Sequence, residues 1–278
     1  MDTRPKLFID TNVCINVANG TILRDEWLEV CRHIETRYSY QVSFITLKEV
    51  FIKLARGEDS YFEENKKPLF ALCEPSPRQF LPYPPVYLLR TTLGRHSVAR
   101  SSPQGVPEET IWETDCKAIF SASSKAKLKQ GVPHPDKPRE IWSFDLDDFD
   151  RHENEPQVGH VDQLQGIRNG RVKMPDPMRL AASMMEDCGQ TPDPESCRKI
   201  TQALDAAYKF LCGLSKLAEN KAANLEKRKT DWGDAMQLYY LCDESMHFLT
   251  FDEKCRNQTQ GSTQQDRILL YKDIVRSL

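Results

Sequence analysis

The sequence predicts an α/β fold of three layers, with helices on both sides of a central, mainly parallel sheet that a large Pro-rich insertion interrupts. Three observations lead to it. Short apolar runs ending at acids alternate with stretches of helical periodicity near the start of the chain. Strand, helix, strand, helix in that order calls for parallel strands joined by right-handed crossovers. Prolines then crowd the middle, in SPRQFLPYPPVY, SSPQGVPEE and GVPHPDKPRE, before regular helical patterning returns. The chain divides accordingly into residues 1–74, an insertion over 75–176, and a second part over 177–278.

The elements follow in order. Residues 6–10, KLFID, form a short apolar run suited to a fully buried strand. It stops at Asp10, and Thr11 and Asn12 follow before Val13 and Ile15 resume it. Leu23, Trp27, Val30 and Ile34 recur at spacings of three and four, which predicts a helix to about Tyr38. Gln41 to Ile45 reads as a second strand. Thr46 with Glu49 three residues on makes a capping box for the helix LKEVFIKLARG, which Gly57 stops. In the middle, WSFDLDDFDRHENEP reads as a solvated loop or strand face, while Trp112, Ile119, Phe120, Ile141, Trp142 and Phe144 supply enough apolar material for order. Beyond it, PMRLAASMMEDCG and PESCRKITQALDAAYKFLCGLSKLAENKAANLEKRK read as helices. Ile200, Leu204, Ala207, Leu211, Leu214 and Ala218 trace one stripe on the second. DWGDAMQLYYLC is a further helix, MHFLTF a strand running into Asp252, RILLY a last strand, and DIVRSL a short closing helix.

Composition narrows the class. With 39% hydrophobic and 28% charged residues, the 278-residue chain has ordinary globular content, and length alone allows one elaborated domain or two. No apolar run approaches the ~18 residues of a membrane span, and MDTRPKLFID lacks the apolar core of a signal peptide, so a cytoplasmic protein without a membrane is expected. Nine scattered cysteines form no CxxC pair and read as reduced thiols. His152, His160, Cys188 and Cys197 do not have the spacing of a zinc finger or ribbon. A net charge of −3 excludes a polycation, so any nucleic-acid contact requires a local basic surface or bound metal ions.

Three acids sit where strand ends open onto loops: Asp10 and Asp252 end apolar strands, and Glu49 opens the helix after the second strand. Asp234 lies in the first turns of the helix leading to the Asp252 strand. Each has a bland explanation alone, as loop chemistry, a cap or a helix-dipole partner. Four carboxylates on one edge, however, repel unless protonated or neutralised by cations, and hard oxygen-seeking Mg²⁺ or Mn²⁺ suits them. A metal so held, with open positions, supports phosphodiester hydrolysis.

FIDTNV at 8–13, VSFITLKEV at 42–50 and DAMQLYYLCDESMHFLTFD at 234–252 together resemble the PIN-domain nucleases, metal-dependent ribonucleases that include the toxin halves of bacterial toxin–antitoxin pairs. The likeness covers about half the chain. It implies a PIN-like domain, with Asp10, Glu49, Asp234 and Asp252 as the catalytic and Mg²⁺- or Mn²⁺-binding acids. Thr11, Asn12 and Thr250 are then the supporting polar groups. Asp231, three residues before Asp234, is a candidate fifth ligand. The implied activity is endonucleolytic cleavage of RNA. The partner classes that follow are an RNA substrate, an antitoxin-like protein and a second copy of the chain. Candidate phosphate contacts flank the acids: Lys48, Lys53, Arg56, Arg228, Lys254 and Arg256, with Lys227, Lys229 and, in the insertion, Arg168, Arg171 and Lys173 behind them.

Alternatives stand beside this reading. FIDTN and WGDAM faintly resemble haloacid-dehalogenase-like phosphatases, but that chemistry needs an acid two residues after the nucleophile and position 12 is Asn. A DNA nuclease of flap-endonuclease type would carry more acids in its later units. A non-catalytic RNA-binding or regulatory module would be expected to have lost some of the four.

Overall fold

The computed structural model describes residues 3–95, 107–174, 176–228 and 231–278, with the side chains of residues 152–159 outside the description. The chain opens with β1 (Lys6–Ile9), α1 (Thr11–Ala18), α2 (Arg24–Arg37), β2 (Ser39–Val42) and α3 (Phe44–Arg56). The first helix was not foreseen. Asp10 does not merely interrupt an apolar run: its extended backbone turns the chain from β1 directly into α1, so Val13 and Cys14 are buried from a helix. The strand expected over 41–45 ends at Val42, because Ser43 caps α3 by accepting the Thr46 amide at 3.0 Å. The capping box built on Thr46 and Glu49 is therefore replaced by a Ser43 cap. Thr46 instead donates to the Ile9 carbonyl at 2.8 Å, and Glu49 stands in the second turn with no capping duty. Gly57 ends the helix as expected.

Next come α4 (Phe62–Asn65), α5 (Lys67–Leu72), β3 (Arg78–Phe80) and α6 (Pro84–Leu93), then α7 (Glu108–Ser121), α8 (Lys125–Gln130), β4 (Val132–His134), β5 (Lys137–Trp142) and α9 (Leu146–Arg168). This middle stretch is far more helical than its prolines suggested. Pro84 and Pro85 lie in the first turn of α6 and Pro107 caps α7, positions where the missing N–H costs nothing. Pro133 and Pro138 belong to the antiparallel β4–β5 pair. The acid-rich run is the start of α9 rather than a loop or strand face: Asp145 accepts the Asp147 and Asp148 amides, and those acids lie in the favourable first turn.

The chain finishes with α10 (Pro177–Asp187), α11 (Pro194–Ala203), α12 (Asp205–Glu219), α13 (Asp231–Gln237), β6 (Met246–Thr250), α14 (Glu253–Gln258), β7 (Ile268–Leu270) and α15 (Tyr271–Val275). The long helix expected after Pro194 is broken at Leu204. Its apolar stripe nevertheless stays in register across the break, and Ile200, Leu204, Ala207, Leu211, Leu214 and Ala218 are all buried.

One sheet of five parallel strands runs β3-β2-β1-β6-β7. β3 comes from within residues 75–176 and pairs Tyr40 to Arg78, so that stretch contributes an edge strand to the main sheet. Both faces are covered. Alternation along β1 sends Phe8 into an apolar cluster with α6, α10, α11 and α12, and sends Leu7 and Ile9 into a second cluster with α1, α2, α5 and α7. The result is a mixed α/β fold with a parallel central sheet and helices packed on each face. No helix among the described residues is long and apolar enough to cross a membrane.

The central position of β1 decides where the acids go. Ile9 pairs with Leu249 in β6, and the Asp10 amide continues that ladder to the Leu249 carbonyl at 2.9 Å. Asp10 and Thr250 are thereby neighbours at the carboxyl edge, where crossover loops open a crevice.

Candidate active site

Four carboxylates from separate stretches of chain, Asp10, Glu49, Asp234 and Asp252, line a single recess of about 700 Å³, with Thr11, Asn12, Lys53 and Arg56 beside them. β1 supplies Asp10, α3 supplies Glu49, α13 supplies Asp234 and the turn after β6 supplies Asp252.

Thr250, fully buried, ties the floor together. Its hydroxyl donates to Asp10 Oδ2 at 2.6 Å and accepts from Asn12 Nδ2 at 3.2 Å and from the Asp252 amide at 2.9 Å. Asn12 Oδ1 in turn accepts the Phe251 amide at 3.2 Å. The other oxygen of Asp10 receives Gln237 Nε2 at 3.4 Å. Thr11 donates to Glu49 Oε2. Each of the three polar residues singled out in the sequence thus bonds a site acid or another member of this network. Gln237 was missed. It stands three residues after Asp234, a spacing that puts both on one helical face.

The electrostatics are those of charges crowded in a half-dry recess. Burial pushes Asp10 above the usual carboxylate range, against the opposing pull of its bonds to Thr250 and Gln237. Glu49 is raised to about 7, by burial first and then by the charge of Asp10, with the Thr11 bond and Lys48 acting the other way. Asp234 is raised well above its ordinary value, again by burial first, then by Asp10, Glu49, Asp231 and Asp252 in turn. Gly233 lets the pieces approach: a Cβ there would lie 2.9 Å from Glu49 Oε1. Asp252 is oriented by its own turn, accepting the Lys254 amide at 2.8 Å.

Asp231 does not line the recess. It is buried behind it, with Arg228 Nη1 at 3.6 Å and Lys254 Nζ at 3.5 Å from its Oδ2. Burial raises its pKa while Lys254 and Arg228 lower it. It thus pairs with two of the candidate phosphate contacts, Arg228 and Lys254.

The candidate cations separate in the same way. Lys53 opens onto the recess with no ion pair among the described residues, and Lys48 is close enough to act on Glu49. Arg56 also lines it but is held by Asp150 of α9 at 2.9 Å, and Arg256 is held by Asp273 at 3.0 Å. Arg168 is bound to the carbonyls of Ala218, Asn220 and Ala223. Arg171 and Lys173 line a different cavity. Lys229 lies outside the described residues.

Among the described residues no three His, Cys, Asp or Glu side chains stand together so as to hold a metal ion by themselves, and this applies to His160, Cys188 and Cys197 as well as to the acids. The side chain of His152 lies outside the description. In chemistry the recess fits a hard dication, since its acids are all oxygen donors and burial, reinforced by the charge of neighbouring acids, has raised two of them. Mg²⁺ characteristically binds through one or two carboxylates and keeps several waters, a mode that does not require three protein ligands to converge.

No family model, no curated protein and no solved structure matches this chain.

Proposed function

We propose that this chain is a Mg²⁺- or Mn²⁺-dependent nuclease of PIN-like type that hydrolyses phosphodiester bonds, with RNA as its substrate and endonucleolytic cleavage as its mode. One observation carries the reading: Asp10, Glu49, Asp234 and Asp252 share one recess, and Asp10, Glu49 and Asp234 are each driven towards protonation, Asp234 by burial first and then by the charges of the others. Such an arrangement is costly unless cations occupy it.

A bound Mg²⁺ or Mn²⁺ would offset the acids' repulsion, polarise a phosphodiester oxygen and lower the pKa of an attacking water. The chain's own contributions are orientation and charge. Thr250 fixes one carboxylate face of Asp10 and the Asp252 backbone together, so these two acids present a set geometry. Thr11 fixes Glu49, whose carboxyl near 7 is suited to take up a proton close to neutrality. Lys53 offers a cation beside the acids for a substrate phosphate. Against a phosphatase of the aspartyl-nucleophile kind, Asn12 is committed to Thr250 and the Phe251 amide, so no acid stands two residues beyond Asp10.

The test is incubation with end-labelled single-stranded RNA and DNA, with Mn²⁺ or EDTA, for the native chain and Asp10→Asn. Cleavage of RNA that needs Mn²⁺ and disappears in the variant is expected. Absence of metal-dependent cleavage of both polymers would reject the proposal.

A further inference from the structure

α5 and α7 lie against each other and run in opposite directions. Lys66, at the head of α5, donates through Nζ to the carbonyl of Ala122, at the tail of α7, at 2.6 Å. One turn further along α5, Phe70 stacks on Phe120 with ring centroids 4.7 Å apart. The same register carries Cys73, which ends α5, to Cys116 on α7, and their thiols are hydrogen-bonded to each other. Side chains that already touch in this way meet the first requirement of a disulfide.

The surroundings single out this pair. Cys73 keeps 7% of its surface exposed and lines a recess of about 790 Å³ with Phe70, Phe120 and Arg78, whereas Cys116, 2% exposed, does not line it. Arg78 donates to the Cys73 carbonyl at 2.7 Å, which keeps a guanidinium at this cysteine. Glu74, next in the chain, is engaged by Arg24 and by the Trp27 indole at 3.1 Å rather than by Arg78. The bond from Cys116 lowers the pKa of the Cys73 thiol, burial opposes it, and the charge of Arg78 adds to the lowering. Burial pushes Cys116 up, and does the same to Cys14 and Cys31 of the same apolar cluster. One thiol of the pair thus stands beside a cation and near solvent, and the other is a protonated partner in contact with it. These are the settings of an attacking and a resolving cysteine.

We propose that Cys73 and Cys116 form a reversible disulfide when the protein meets hydrogen peroxide, fastening α7 to the end of α5. The Cys73 sulfur attacks one peroxide oxygen as the O–O bond breaks, giving a sulfenic acid, and the departing hydroxide takes up the proton lost by the Cys73 thiol to give water. The Cys116 sulfur then attacks the Cys73 sulfur. The S–S bond forms, the S–O bond breaks, and the released hydroxide leaves with the Cys116 proton as a second water. The two thiols together lose two electrons, and one peroxide is reduced to two waters. A thiol reductant reverses the cross-link by exchange. Neither cysteine lines the acidic recess, and the cross-link is read without metal or RNA, so it stands or falls independently of nuclease activity.

The experiment exposes the full reduced chain to hydrogen peroxide up to millimolar concentration, blocks the remaining thiols with N-ethylmaleimide in denaturant, and maps the unreduced tryptic peptides by mass spectrometry. A cross-linked species joining the Cys73 and Cys116 peptides is expected as the main product, absent after dithiothreitol. Closing the loop between the two cysteines should raise the melting temperature of the oxidised chain by roughly 7 °C, and dithiothreitol should return it. In Cys116→Ala the gain should vanish and dimedone should trap the Cys73 sulfenic acid, whereas Cys31→Ala should leave the cross-link intact. Absence of the cross-linked peptide from the native chain overturns the proposal, whatever the variants do. So does a cross-link that forms no faster in the native fold than in guanidinium, a different cysteine pair as the main product, or a fall in melting temperature on oxidation.

Discussion

Neutralising Glu49 should stabilise the metal-free protein while abolishing the metal-dependent cleavage we propose. In the fold its carboxyl rises from the ordinary 4.5 to about 7, through burial and then the charge of Asp10. The sign follows from linkage: a folded-state value above the unfolded one gives stability that is complete below about 4.5 and is lost as pH climbs through about 7. The full difference corresponds to about 3 kcal/mol at pH 8. Glu49 remains partly open to water at the mouth of the recess, and allowing for that screening leaves about 2 kcal/mol. Glu49→Gln removes the ionisation but keeps an oxygen to accept the Thr11 hydroxyl. Thermal unfolding followed by circular dichroism in EDTA should place the variant roughly 4–8 °C above the native chain at pH 8, with the gap closing towards pH 4.5. Added Mn²⁺ should reverse the order, because only the native site gains: a hundredfold excess over Kd is worth about 2.7 kcal/mol. Equal melting temperatures at pH 8 in EDTA, or equal gains from Mn²⁺ in both proteins, would refute the reasoning.

Three further outcomes are expected. Gly233→Ala adds helix propensity worth up to about 1 kcal/mol, yet its methyl group must displace the Glu49 carboxylate, so melting temperature should hold or rise while kcat for RNA cleavage falls at least about tenfold. Thr250→Val leaves Asn12 Nδ2 and the Asp252 amide without their acceptor and Asp10 Oδ2 without its donor, a loss of about 1–3 kcal/mol in chemical denaturation together with loss of Mn²⁺-dependent cleavage, whereas Thr250→Ser should retain both. Asp115 is buried, and its carboxyl rises to about 7 through that burial, with the Trp142 indole bond at 2.8 Å working against it; its stabilising contribution is present below about 4 and lost as pH rises through 7. Asp115→Asn should therefore exceed the native chain by at most about 4 kcal/mol in denaturant unfolding at pH 8 and match it near pH 4.

Much of the sheet could be read from the chain because its strands are buried on both faces. Leu7-Phe8-Ile9 is a continuous apolar run and Met246 to Thr250 is largely one, and such runs occur where helices cover both sides. Asp10 and Asp252 stood out because each ends one. Glu49 was found with a wrong local reason: Thr46 was read as the cap, while Ser43, one residue past the strand, performs that role. Local sequence offered two hydroxyls at suitable spacing, and in the fold the Thr46 hydroxyl is turned to the Ile9 carbonyl instead. α1 was invisible because eight residues of small and β-branched side chains, TNVCINVA, have weak helix propensity, and Asp10 turns the chain only in the context of β6. The middle was misread because proline was counted as a breaker, whereas here it opens α6 and caps α7. The contact between Cys73 and Cys116 joins stretches far apart in the chain, and no spacing within either announces it.

A buried acid is not by itself evidence of a site, and the fold supplies its own comparison. Asp115 and Glu49 are both driven to about 7. Asp115 is raised by burial alone, no other carboxylate contributes, and a single proton resolves its difficulty while the Trp142 N–H satisfies the oxygen. At the carboxyl edge burial is again the largest cause, and the acids add to it. Asp10 raises Glu49, and Asp10, Glu49, Asp231 and Asp252 all raise Asp234, so ionising any one acid makes the next harder to ionise. Protonation could quiet this cluster only by removing the charge that the neighbouring hydroxyls are arranged to hold, since Thr250 and Thr11 both donate to the acids rather than accept from them. Donors aimed at carboxylates favour the charged form. The fold therefore aims donors at acids that repel one another, and the metal-dependent reading we propose would place a cation there to offset that repulsion. This contrast between the acid on α7 and the acids at the end of β1, and not burial as such, is what directs the metal-dependent reading to the recess.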